Sequence, residues 1–136
     1  GLKKGDRIAA NLSSSFPALN LSLIAAADTL GLDAIMINSV GASTYGGNIE
    51  DFTYLDMENY LFSKGIIQNR SRGFSLGGIG DVGKEFEEEI KEKIIEKNTP
   101  YNGKAEIIQI KTLAGIRGIF IYFPFFLIPV ILCIAL

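Results

Sequence analysis

Short apolar segments alternate along this chain with longer segments of helical character, and this alternation constrains the fold more than any other feature. Residues 7–12 and 34–38 have the character of strands, and residues 18–30 between them are rich in strong helix formers. Strands that alternate with helices of this length are typical of βαβ crossovers. We therefore predict an α/β fold of three layers, with a mostly parallel sheet of about four or five strands.

Turn and capping residues set the expected ends of the first two helices. Pro17 suits the first helical position and Gly31 suits the stop, and the apolar character of this helix all round predicts that it is largely buried. Thr53 and Asp56 have the spacing of a capping box, which predicts a second helix through Ser63.

The second half of the chain continues the same pattern. Residues 66–75 are expected to contain a third strand, residues 84–97 an amphipathic helix, and residues 105–110 a fourth strand. We assign residues 1–117 to one α/β domain and expect it to be part of a longer protein.

The last nineteen residues, 118–136, carry no charge. Their length reaches that of a membrane-spanning helix, and the lysines and arginines before them would keep the domain on the cytoplasmic side of a membrane. The alternative is a fifth buried strand at residues 119–123 followed by an abnormal end. Membrane association is therefore one of two interpretations of this tail.

Composition excludes several kinds of chemistry. The chain has no histidine and a single cysteine, so one chain cannot hold a Ser-His-Asp triad, a Cys/His zinc site or an internal disulfide. Its net charge of −2 provides no basic face, so we expect no nucleic-acid partner. The sequence indicates no metal site and identifies no cofactor.

Three polar loops are expected to meet at the carboxyl edge of the sheet, where open parallel sheets bind their ligands. They span residues 13–15, 38–43 and 75–83, and two of them lead into helix N-termini, which attract anions. The third strand is expected to carry Arg70 and Arg72, either of which could clamp a carboxylate or phosphate. The candidate ligand-binding residues are Ser13, Ser14, Ser15, Asn38, Ser39, Gly41, Ser43, Arg70, Arg72, Gly78, Gly80 and Asp81.

Other interpretations of these loops stay open. Serine and glycine also satisfy the needs of tight turns and helix caps, which would leave a scaffold associated with a membrane and without catalytic activity. The glycines at 78, 80 and 83 match the spacing of a dinucleotide fingerprint, but the next predicted strand does not end in an acidic residue. A hydrolase or transferase that uses Ser or Asp with oxyanion donors from a helix N-terminus is a further alternative.

Four strings in this order carry a family resemblance: SSSFPALN at 13–20, SVGASTYG at 39–46, FTYLDME at 52–58 and SLGGIGDVG at 75–83. Over residues 2–100 the chain resembles the bacterial poly-γ-glutamate system protein family. The resemblance implies an accessory role in the biosynthesis or export of this anionic capsule polymer. Its implied partners are the proteins of that system and an anionic small molecule or glutamyl polymer.

Overall fold

A three-stranded parallel sheet with helices between its strands forms the centre of the fold. The computed structural model describes residues 1–41, 47–78, 82–84 and 86–98. Its elements are β1 (Arg7–Ser13), α1 (Pro17–Leu30), β2 (Asp33–Ser39), β3 (Asn48–Ile49), β4 (Phe52–Thr53), α2 (Tyr54–Ser63), β5 (Gly73–Ser75) and α3 (Glu88–Asn98).

The sheet has the order β1-β2-β5, and both of its pairings are parallel. The strands β3 and β4 form a separate antiparallel pair. The predicted α/β fold with βαβ crossovers is therefore confirmed, with three strands in the parallel sheet of the described residues. The strand predicted at 105–110 and the candidate strand at 119–123 lie outside these residues.

One face of the sheet carries the main core. Alternate residues of β1 and β2 are buried there against α1 and α2, as the two-residue period of a strand requires. On the opposite face, Ile35 and Ile37 are only half-buried. The buried members of this core are Ile8, Ala10, Leu12, Ile24, Ala27, Leu32, Ala34, Met36, Tyr54 and Ile67.

Helix α1 has the predicted ends. Pro17 opens it, and Gly31 ends it in the left-handed conformation with φ of 66°. The expectation that α1 is largely buried was wrong for the described residues, because only Asn20, Ile24 and Ala27 of its residues are buried. Its outer side, which includes Leu30 at 54% exposure, contacts neither the sheet nor α2 closely enough to be covered.

Helix α2 begins with the predicted capping box. The Asp56 carboxylate accepts hydrogen bonds from the amide of Thr53 at 2.7 Å and from its hydroxyl at 2.9 Å. Because Asp56 is in the first turn, its charge also stabilises the positive end of the helix dipole. The helix ends at Ser63, and Gly65 follows with φ of 67°.

The third strand is shorter than predicted. Only Gly73–Ser75 pairs with β2 as a strand, whereas the amides of Gln68, Asn69 and Ser71 donate to side-chain carboxylates of α1 and α2. An amide that binds a carboxylate is not available to a neighbouring strand. The preceding residues therefore form an irregular segment that lies beside the amino half of β2.

Helix α3 begins four residues later than predicted. Gly83 has φ of 61° and its carbonyl accepts the amide hydrogen of Phe86, so a turn occupies the expected first helical positions. Ile94 of α3 packs with Phe74 of β5 and Leu55 of α2 in a second buried cluster. Within the described residues, no helix combines the length and hydropathy needed to cross a membrane; the apolar segment 118–136 lies outside them.

Candidate ligand-binding site

Three serines lie in register at the carboxyl edge of the sheet. Ser13 of β1 lies opposite Ser39 of β2, and Ser39 lies opposite Ser75 of β5. Each serine is the last residue of its strand. The structure therefore places the beginnings of all three polar loops along one edge, the geometry that consecutive crossovers of one hand produce.

Backbone pairing continues beyond the strand ends and occupies some of the predicted donors. The amide of Ser14 donates to the Ser39 carbonyl at 3.0 Å, and the amide of Gly41 donates to the Leu76 carbonyl at 2.8 Å. The expectation that the Gly41 amide would bind a ligand is therefore not supported, because the chain itself uses this donor. A Cβ at Gly41 would lie 2.7 Å from the Leu76 carbonyl oxygen, so close packing of the two loops requires glycine here.

The N-terminus of α1 has free donors at this edge. Its cap residue is Phe16, and none of the described side chains makes a capping hydrogen bond. Pro17 has no amide hydrogen, and the amides of Ala18 and Leu19 have no intrahelical acceptor in this first turn. Both residues are exposed, so these two donors, which contribute to the positive end of the helix dipole, lie near solvent.

Two buried polar atoms beside this helix N-terminus have no hydrogen-bond partner among the described residues: the Ser15 hydroxyl oxygen and the Asn38 amide nitrogen. The carboxamide oxygen of Asn38 does have a partner, since Oδ1 accepts the Ser14 hydroxyl hydrogen at 2.8 Å. Ser14 and Asn38 are completely buried. A buried donor without a partner is destabilising and rare in native folds, and it is the kind of group that a ligand satisfies.

Two residues that shape this edge were missed from the sequence. Asn20 donates its side-chain amide to the Ser13 carbonyl at 2.7 Å, and Gly47 donates its amide to the Ser14 carbonyl at 2.6 Å. A Cβ at Gly47 would lie 2.7 Å from the Tyr54 Cβ. The doubled glycine at 46 and 47 was the available signal, because only glycine admits so close an approach.

The glycine-rich loop after β5 approaches the same edge. Gly77 has φ of 75°, and a Cβ there would lie 2.5 Å from the Ser39 hydroxyl oxygen. Gly78 also has a positive φ, 73°. Ser43, Gly80 and Asp81 lie outside the described residues, so their predicted roles stay predictions.

The two arginines are not part of this edge. Arg72 pairs with Asp33, which is the first residue of β2, and Arg70 stacks on Phe62 near the end of α2. Both precede β5 in the chain and so lie toward the amino edge of the sheet. The expectation that they would clamp a ligand together with the serines is therefore corrected, because the strand that was to carry them begins only at Gly73.

The described part of the chain has no cluster of three or more acidic residues or cysteines that could hold a metal ion. The chemistry available at the carboxyl edge is hydrogen-bond donation by hydroxyl, carboxamide and backbone amide groups. Such donors suit an oxyanion.

Comparison with known proteins gave no match to a protein-family model, to a curated protein or to a solved structure. The resemblance to the poly-γ-glutamate system family therefore stays a prediction from the sequence strings.

Proposed function

We propose that this chain is an accessory component of poly-γ-glutamate biosynthesis or export and that it binds an anionic ligand at the carboxyl edge of its sheet. The observation that carries the binding proposal lies beside the uncapped start of α1, where buried polar atoms of Ser15 and Asn38 have no partner in the part of the chain that the structure describes. The assignment to the poly-γ-glutamate system rests on the family resemblance of the four sequence strings.

The donor set favours an acceptor-rich ligand. Asn38 offers an N–H, Ser15 offers a hydroxyl that can donate, and the first turn of α1 offers the amides of Ala18 and Leu19. A carboxylate or phosphate accepts several such bonds at once and also gains from the helix dipole. Glutamyl carboxylates belong to this chemical class.

A thermal-shift screen with oligo-γ-glutamate, glutamate, inorganic phosphate and nucleotides tests the proposal. A ligand at one hundred times its Kd stabilises the folded state by about 2.7 kcal/mol, which is a measurable rise in the midpoint. We expect oligo-γ-glutamate to raise the midpoint and Ser15→Ala to reduce that rise.

Ser63→Ala is the matched control, because its hydroxyl lies at the end of α2 and donates only to the Tyr60 carbonyl. This variant should keep the full ligand response. The absence of a shift with every anion, or an equal shift in the Ser15 variant, would contradict binding at this edge. A response to phosphate or nucleotide but not to the glutamyl ligands would contradict the polymer assignment alone.

A further inference from the structure

The segment of residues 68–72, which lies at the amino edge of the sheet, is held in place by two helices. The Asp28 carboxylate of α1 accepts the amide hydrogens of Gln68 at 2.7 Å and of Asn69 at 2.9 Å. The buried Glu58 carboxylate of α2 accepts the amide hydrogen of Ser71 at 3.0 Å. Carboxylates from two different helices thus fix the backbone of this short segment.

Two side chains of this segment are anchored by hydrogen bonds to the protein. Asn69 donates to Asp28 and to the Leu32 carbonyl, and Ser71 donates to Glu58. The intervening Gln68 and Arg72 are exposed, and Arg70 is half-buried. The two arginines flank Ser71, whose backbone is fixed by Glu58.

The segment borders an open cleft of about 470 Å³, whose lining includes Phe62, Gln68, Arg70 and Arg72. This volume is within the range of about 300–1,000 Å³ that is usual for small-molecule sites. The Arg70 guanidinium carbon lies 4.2 Å from the centre of the Phe62 ring, and this stacking orients its planar group. The Asp33 carboxylate pairs with Arg72 and so positions the second guanidinium.

We infer that this cleft is a second binding site, separate from the carboxyl edge, and that it takes a ligand with a carboxylate or phosphate group between Arg70 and Arg72. Guanidinium groups bind both oxyanions through paired parallel hydrogen bonds. Because the backbone and both side chains are already held, little conformational entropy is lost when the ligand binds. The carboxylates of Asp28, Asp33 and Glu58 are all engaged by donors of the protein itself.

The test is a titration of the full chain with inorganic phosphate and, separately, with glutarate, followed by amide NMR. Shifts should concentrate in residues 68–72, and the probe with the lower Kd identifies the oxyanion. Arg70→Gln and Arg72→Gln should each weaken binding by about tenfold or more, the usual effect of losing a hydrogen bond to a charged group. Lys64→Gln is the control, because Lys64 also lies over a ring, that of Tyr60, but does not line the cleft.

In Ser15→Ala, any shifts at the N-terminus of α1 should decrease and those in residues 68–72 should remain, which separates the cleft from the site at the carboxyl edge. Binding of neither probe, shifts confined to the N-terminus of α1, or an equal loss in the Lys64 variant would overturn the inference. If an arginine variant does not fold, the location of the shifts in the unmodified chain still decides the outcome.

Discussion

Glu58 and Ser71 form a completely buried pair in which the amide and the hydroxyl of Ser71 both donate to the Glu58 carboxylate, each at 3.0 Å. The Tyr54 hydroxyl lies 3.3 Å from the same carboxylate. A buried charge is tolerated only where hydrogen bonds replace its water, and these donors meet that need.

Glu58→Ala should lower the free energy of unfolding by about 3 kcal/mol or more, since it leaves the Ser71 donors unsatisfied and opens a cavity. Glu58→Gln should lower it less, because the hydroxyls can rotate to accept from the new amide. Urea denaturation measures both changes. Glu88→Ala, at a side chain that is 83% exposed, should stay within about 0.5 kcal/mol of the parent; a similar loss at both positions would contradict a special role for burial.

Ser14 and Ser15 are adjacent but should respond in opposite ways to substitution. Ser14→Ala leaves the buried Oδ1 of Asn38 without its donor, which should cost about 1–3 kcal/mol of stability. Ser15→Ala removes a buried hydroxyl oxygen that no described residue hydrogen-bonds, so stability should be unchanged or slightly higher. Thermal and urea unfolding of the two variants check this. A large loss from Ser15→Ala would show that its hydroxyl is structural.

Gly77 and Gly65 have similar positive φ values, 75° and 67°, but different surroundings. Gly65→Ala should cost only the strain of the left-handed conformation, about 1 kcal/mol, because nothing lies within 4 Å of the new Cβ. Gly77→Ala should cost about 1–3 kcal/mol more, since its Cβ would lie 2.5 Å from the Ser39 hydroxyl oxygen. Equal losses in chemical denaturation would contradict this close approach.

Asp33 should make stability depend on pH. The hydrogen bond from Arg7 is the largest cause of a pKa for this carboxyl below the ordinary value of 3.8; desolvation opposes it, and the charges of Arg72 and Arg7 lower the pKa further. A lowered folded-state pKa stabilises the fold above the unfolded-state pKa, and this contribution is lost as the pH falls through the folded-state value.

Asp33→Asn should therefore be less stable than the parent near neutral pH, and the difference should shrink below about pH 4. Unfolding midpoints measured between pH 7 and pH 2 check this. Glu92→Gln, at an exposed position of α3, provides the control and should follow the parent curve. A difference between Asp33→Asn and the parent that stays constant with pH would rule out the linkage.

Local signals predicted the elements well where the sequence contains them. Pro17 and Gly31 set the ends of α1, and Thr53 with Asp56 set the start of α2, because caps act over a few residues. The common edge of the serines followed from the handedness of crossovers.

The predictions that failed depend on contacts between residues that are distant in the sequence. The positions of Arg70 and Arg72 depend on two carboxylates that are distant in the sequence. Asp28 lies 40 positions from Gln68, whose amide it binds, and Glu58 lies 13 positions from Ser71. Nothing local marks such a pairing. The burial of α1 also depends on which segments pack over it, and an apolar surface alone does not specify them.

The anchoring of residues 68–71 by Asp28 and Glu58 also bears on how the molecule opens. One carboxylate comes from the last turns of α1 and the other from the middle of α2. Both crossovers are therefore linked through residues 68–71. Fraying of either helix would release residues 68–71 on one side and weaken their contact with the other helix. The two crossovers should therefore exchange their amide hydrogens as one cooperative unit rather than as independent parts.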